Sequence, residues 1–569
     1  MLKLYINDGL VDLPPDVAIT IKRSNPAYMG EDVNVIKSTF SFPFTLPLSA
    51  RNREILGFPD RLDNAATLPE NMPAYLVAGA GTLLKGLVTV QAATRTTAKV
   101  FFYNNPLADL AKQYIDDTDQ GVFQASSEAD LATRMKFTAE NPLEQDFIFC
   151  PVYNLALRDD DEFIPPVSDF MNSWNYDGQR FITAFHVAPF LRVAPMLRKA
   201  IEAGGFTFTD GFHVTPELQR QILITNRSLR FETALSLRIP LKMCLPKTSI
   251  TDFLKSLCRT YCLAPFTDLN GTHIDLSPLG PLVNGPIARD WSAYTEDDYE
   301  RQSAGANVAR YEWGEEAHTL TYYFSTWSQD HPVPVLTVAD FVNESNQIIQ
   351  IPNNQVYYFH GRSAVSIPKR IPGLLGREFQ NSFGYIENPG GGETVSPSLL
   401  PAQTHIVYSF PSDGDEIVLP TVSMQVVGIE TAPFEVPVAF GEITSQTGEI
   451  VGQLSFYRGM RTTRNGQRFP MSNHAPSNAF FRKLPEDNVS LNWLGPNGLY
   501  EQSWKEWDGM LRRASVVKRR FLLPLTELIA FDFRDKVRAG NRNYFVRDME
   551  FTVSAKGVSP TTCTLVTVS

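Results

Sequence analysis

Cys258 and Cys262 stand four residues apart, a spacing that puts two thiols on one face of a helix, where thiolates could hold a soft metal ion. His273 is the nearest further ligand type and no second Cys pair accompanies them, so they read as buried thiols beside an apolar stripe. The run Asp159-Asp160-Asp161-Glu162 offers carboxylates for Ca²⁺, but without the Gly and the alternating acidic spacing of a calcium loop it reads as an exposed loop. Gly390-Gly391-Gly392 precedes Glu393, whose charge would repel a phosphate, so it reads as a flexible turn. The 8 His show no metalloprotease or deaminase spacing, and neither a G-x-S-x-G elbow nor a Walker loop occurs. Glycosidase carboxylates converge in space rather than along the chain, so that chemistry stays open. Phe456-Tyr457-Arg458 and Phe480-Phe481-Arg482-Lys483 interleave rings with cations, as a single-stranded nucleic-acid groove does. At the strand period such rings more often serve a core or a subunit contact. These readings assign no catalytic, cofactor-binding or metal residue, expect no cofactor, and favour a protein that is not an enzyme.

The elements that would position these residues are mostly strands. Leu2, Leu4 and Ile6 alternate before the turn Asn7-Asp8-Gly9, and Val17, Ile19 and Ile21 alternate after it. Phe40, Phe42, Phe44, Leu46 and Leu48 keep a period of two with Pro43 and Pro47 in the opposite phase, which predicts an edge strand. Ser49 caps a short helix that Gly57 stops, and residues 74–103 return to strands. Asn105-Pro106 opens a helix with Leu107, Leu110, Ala111 and Tyr114 on one face. Residues 116–185 read as irregular and acidic. A helix over 195–203, ended by Gly204-Gly205, leads to a strand at 206–208. The pattern recurs, with Ser249 and Asp252 as a capping pair, an inward stripe from Ile250 to Tyr261, and a hairpin turning at Asn270-Gly271. Turn signals at Asn353-Asn354, at 389–392 and at 412–414 divide a β-rich stretch. A helix over 500–514 carries Trp504, Trp507 and Leu511, and strands at 544–553 and 563–568 close the chain around Gly557.

The 569 residues predict several domains, and 43% hydrophobic against 20% charged residues excludes a mostly disordered chain. The fold class expected is multidomain and mainly β with α+β units, small β-barrels or sandwiches accompanying the helix-and-hairpin units. The expected divisions are an N-terminal barrel-like domain at 1–105 and a helix with an irregular acidic segment at 106–185. An α+β unit follows at 186–300, a β-rich accessory domain at 301–450, and a basic closing domain at 451–569. No secretory leader and no transmembrane run is read, and 5 Cys in a chain this long argue against a disulfide framework. The net charge of −11 is unevenly held. Residues 451–569 carry 18 Lys and Arg against 10 Asp and Glu, a net +8, which leaves −19 for the rest. A solvated or subunit-facing role suits that basic segment better than DNA binding.

The stretch 41–62 (SFPFTLPLSARNREILGFPDRL), the two helix-led units at 194–210 and 249–279, the segments 454–474 and 489–507, and the closing strands 537–568 together resemble hub proteins at the tail tip of tailed bacteriophages, similar to those of phages of Bacteroidota-type hosts. The resemblance implies a structural virion protein at the baseplate or tail tip, made in the host cytoplasm. Such a subunit closes the tail tube, commonly as a homotrimer, and anchors tape-measure, distal-tail, fibre or receptor-binding proteins. DNA would slide through its lumen without specific binding, and host-surface contact and host attachment would follow. The 34 Arg against 17 Lys suit a protein whose work lies in its interfaces. The alternative is a receptor- or glycan-binding tail protein with 301–450 as the recognition domain, and behind it a tail-associated glycan hydrolase.

Overall fold

The computed structural model describes residues 2–28, 39–154, 170–303 and 450–568 apart from short gaps, and separate segments between 307 and 445. The acidic run 159–162, the turns at 353–354, 390–391 and 412–414, and the aromatic-basic run 480–483 lie outside the described residues. The architecture is mainly β, several sheets with α+β units, as the alternation predicts.

Strands β1 (Leu2–Ile6), β2 (Ala18–Ser24), β3 (Thr39–Ser41), β4 (Phe44–Pro47), β5 (Met72–Ala78), β6 (Gly81–Ala93) and β7 (Thr97–Asn104) build the first part. β1 pairs β5, β5 pairs β6 and β6 pairs β7, all antiparallel, and Leu4, Ile6, Leu76, Val88 and Val100 point into the core. The expected continuous strand over 40–48 is two strands, one after the other along β7. Its phase breaks at Phe42-Pro43, so that Phe42 is exposed while Ser41 and Phe44 are both buried. Pro43 supplies no ladder N–H, and the break lets β3 turn away to pair β2 while β4 stays on β7 alone.

Helix α1 (Pro106–Leu110) stops at Leu110, which leaves Ala111 exposed where an inward residue was expected. Within the segment expected to be irregular stands a helix, α2 (Glu128–Glu140), capped by the Ser127 hydroxyl, which accepts from the Asp130 amide. Its inward residues, Leu131, Met135, Thr138 and Ala139, include a polar and a small one, so the apolar stripe is faint in sequence. β8 (Phe147–Ile148) and β9 (Phe190–Arg192) then lead into α3 (Val193–Ala203) and β10 (Thr207–Asp210). β11 (Gln221–Thr225) precedes α4 (Ile250–Tyr261), which carries the predicted Ser249 cap and is followed by the hairpin β12 (Leu263–Thr267) and β13 (His273–Pro278). The recurrence is partial. β10 forms no hairpin of its own and instead adds in parallel to β13, so one three-stranded sheet serves both helix-led units.

β14 (Thr295–Ser303), β15 (Gly452–Thr462) and β16 (Arg468–Asn473) precede a π-helical turn over Tyr500–Trp504 that runs into α5 (Lys505–Arg513). There Trp504, Trp507 and Met510 are buried. β17 (Ser515–Phe521), β18 (Lys536–Ala539), β19 (Arg542–Ser554) and β20 (Thr561–Val568) close the chain. β8, β9, β11, β15 and β16 form a five-stranded sheet. β2 pairs β19 over its whole length, from Ala18 opposite Ser554 to Ser24 opposite Asp548. The segments expected as the first and last units therefore share one sheet, fifteen strands among the described residues, whose main path runs from β1 through β5, β6, β7, β3, β2, β19, β20 and β17 to β14.

Candidate functional site

Among the described residues singled out for chemistry, Cys258, Cys262, Phe456, Tyr457 and Arg458 are buried and His273 is half-buried. Cys258 and Cys262 are buried, on α4 and at its left-handed C-terminal residue, and burial pushes both thiols far above their ordinary range. His273 lies on β13, its Nδ1 2.8 Å from the Thr207 hydroxyl, a partner from the neighbouring strand. Among the described residues no three His, Cys, Asp or Glu side chains converge where a metal could bind. Phe456, Tyr457 and Arg458 are all buried. The Tyr457 hydroxyl donates to the Ala139 carbonyl at 2.7 Å, and the Arg458 guanidinium lies 4.7 Å from the Phe456 ring centre. They are core residues of the five-stranded sheet.

Two polar networks were not visible along the chain. In one, Asp210 accepts from His213 at 2.6 Å, the other His213 nitrogen meets the Gln221 side-chain oxygen at 3.0 Å, and the Gln221 amide donates to the Tyr261 hydroxyl. Burial works to raise the Asp210 carboxyl, but the His213 bonds outweigh it and hold it below its ordinary value. An Asp–His pair is a familiar orienting unit in catalysis, yet the His213 side chain is 1% exposed and both its nitrogens are engaged inside the protein. In the other network, Arg458 donates to Glu217 at 2.6 Å, Arg461 pairs with Asp487, and Glu217 also accepts from the backbone amides of Asn488 and Val489. Both networks fasten segments distant in sequence.

An open surface among the described residues is the outer face of the long sheet. On β1, β5, β6, β7, β4 and β3 the outward phase carries Tyr5, Tyr75, Leu87, Phe101, Tyr103 and Phe40, all half-buried, together with exposed Lys3, Lys85 and Lys99. The register sets Tyr5 against Tyr75, Tyr75 against Lys85, Leu87 against Tyr103 and Tyr103 against Phe40, so this is one continuous patch. No Asp or Glu occupies the outward phase of these strands. A solvent face would ordinarily alternate to charged and polar residues, and an aromatic one marks a contact surface. Tyr5 and Tyr75 stack at 4.6 Å with their planes 11° apart, and Phe101 and Tyr103 stack at 5.5 Å and 24°.

Beyond β2 the same face changes character. Lys22 opposes Glu550, Glu550 opposes Thr562 and Thr562 opposes Arg520. One row along, Asp548, Thr564, Lys518 and Glu300 follow across four strands. These line an open cleft of about 420 Å³. Among the described residues the sheet ends at β14, which pairs there only with β17 and presents exposed Asp297, Asp298 and Tyr299, the last 60% exposed, beside Leu522, also 60% exposed. Acidic side chains on an unpaired edge discourage indiscriminate strand addition.

No protein-family profile matches the chain, and no curated protein matches it. Among solved structures, similar chains include the 43 kDa tail protein of prophage MuSo2 from Shewanella oneidensis, at 7% identity and a TM-score of 0.35 over 100% of this chain and 98% of that one. A tail protein from Neisseria meningitidis MC58 aligns at 7% identity and 0.32, covering 99% and 95%. Prophage tail protein gp18 from Listeria monocytogenes EGD-e aligns at 5% identity and 0.32, covering 99% and 94%. Likeness at this level carries no argument about this chain's activity.

Proposed function

We propose that this chain is a structural subunit of a phage tail and, more finely, the hub at the tail tip, where it closes the tube and anchors neighbouring tail-tip or fibre proteins. The observation that carries the reading is where the open surface lies. Among the described residues the thiol pair Cys258 and Cys262 and the Asp210–His213 pair are buried, while a single long sheet offers an aromatic, carboxylate-free face at one end and an edge strand with one partner at the other. Such a molecule acts through contacts with other subunits. The sequence resemblance at 41–62, 194–210, 249–279, 454–474, 489–507 and 537–568 supports the placement in a tail. A homotrimer, with tape-measure, distal-tail and fibre proteins as neighbours and DNA passing without specific binding, is the form the proposal takes.

Image reconstruction of virions, with a tag on this chain, tests it. Density for the tag in a fixed ring at the tail tip is expected. Absence of the chain from purified virions removes the reading. Attachment of the free protein to host cells, lost on deletion of 301–450, would move it to the receptor-binding alternative.

A further inference from the structure

We infer that the aromatic, basic face on β1, β5, β6 and β7 is the docking site for the β14 edge of a second copy of this chain. The inference deepens the tail-subunit reading and rests on it only for the premise that the chain assembles.

The face first excludes a competing occupant. Rings that stack bases lie open to the ligand. Here the Tyr5 and Tyr75 rings, on adjacent strands, stand nearly parallel at 4.6 Å, so each covers a face of the other. Phe101 and Tyr103 do the same along β7. An apolar patch of mutually stacked rings flanked by ammonium groups fits a protein surface with apolar contacts and carboxylates. Lys3, Lys85 and Lys99 enter no ion pair among the described residues, so their charge is available to a partner.

The chain itself carries the complementary surface. At β14, Tyr299 and Leu522 supply exposed apolar area, and Asp297 and Asp298 supply exposed carboxylates outside any described ion pair. Glu296 and Glu300 on the same strand face the protein's own cations: Glu296 bonds Arg520 at 3.1 Å, and Glu300 stands opposite Lys518. Asp297 and Asp298 enter no described ion pair, Asp298 at the cleft that Lys518, Arg519 and Arg520 also line, so these two carboxylates are the ones available to a partner. Face and edge lie at opposite ends of one sheet path and differ in chemistry. A contact between them is head-to-tail, the class that closes into a ring when its rotation allows, and differs from the self-complementary contact of a twofold dimer.

Sedimentation velocity on the full chain and three charge variants tests the assignment. The face variant carries Lys3→Glu, Lys85→Glu and Lys99→Glu; the edge variant carries Asp297→Lys and Asp298→Lys; the swap variant carries all five. All substitutions are at exposed positions, and matching circular dichroism and thermal midpoints verify folding. Wild type should self-associate, the face and edge variants should each weaken association roughly 10- to 100-fold, and the swap variant should regain it. A face variant that associates like wild type, a swap variant no better than either half, or a wild type that stays monomeric overturns the inference. So does tight binding of a labelled single-stranded oligonucleotide that the face variant loses. Failure of the swap with the chain still found in virions removes the interface and leaves the tail reading. A successful swap with the chain absent from virions does the reverse.

Discussion

Arg458 shows what a charge-bearing residue does in this protein when it is not at the surface. Burial pushes its guanidinium down from its ordinary value, while Glu217 and Asp487 pull it back. Removing one partner of such a pair leaves the other charge uncompensated in the interior. Glu217→Ala should therefore cost about 3–5 kcal/mol in urea unfolding, and a loss below about 1 kcal/mol would show the network to be dispensable. His474 gives a pH signature. Burial, chiefly, and the nearby Arg458 charge lower it from 6.5 to about 3, so the folded protein keeps it neutral where the unfolded chain takes up a proton. Its contribution is whole above pH 6.5 and declines as pH falls toward 3, by about 1.4 kcal/mol per pH unit. His474→Gln should flatten that slope in unfolding curves measured across the window; an unchanged slope would rule the histidine out as its source. At this scale the sequence was informative about Cys258 and Cys262, whose place on an apolar stripe announced burial. It was silent on Glu217 and Arg458, because 241 residues separate them and no local pattern encodes the pairing.

Among the elements, caps and turns were the most legible features, since their chemistry is local. Ser249 caps α4 through the Asp252 amide at 3.0 Å, and Ser249→Ala should lower the thermal midpoint in step with a loss of about 1 kcal/mol. An unchanged midpoint would mean that the packed stripe alone holds the helix start. Gly86 is a case where a close approach requires glycine. A Cβ there would lie 2.3 Å from the Tyr103 carbonyl oxygen, so Gly86→Ala should force β6 from β7 and cost about 1–3 kcal/mol in denaturant unfolding. Wild-type stability in that variant would show that the strands part without penalty. α2 escaped notice although its Ser127–Asp130 capping pair was present, because Thr138 and Ala139 dilute its buried face. The strand over 40–48 misled in the opposite way. Its perfect alternation hid a phase change at Pro43, whose missing N–H marks the break, while the strand that holds Pro47 does lie at an edge, with β7 as its one described partner.

For the whole molecule, the long-range pairing of β2 with β19 was the feature least open to a reading along the chain. Each strand looked complete within its own hairpin neighbourhood, and nothing in either names a partner more than 500 residues away. Arg23 reinforces the join, since its guanidinium donates to the Leu528 carbonyl at 3.0 Å and to that of Phe531 at 3.3 Å. Deleting residues 536–569 should therefore remove β18 to β20 and expose β2, and limited proteolysis should then cut within residues 1–105 as readily as in an unfolded chain. Protection of that segment in the truncated protein would show that it stands without the closing strands. The same pairing sets a timetable for synthesis. Ser24 bonds Asp548 across 524 residues, and at about 5–20 residues per second the ribosome leaves β2 without its neighbour for roughly half a minute to nearly two minutes. Throughout that interval an open strand edge waits beside a growing polypeptide, so the yield of native protein is governed by whatever shields that edge until the final hairpin emerges.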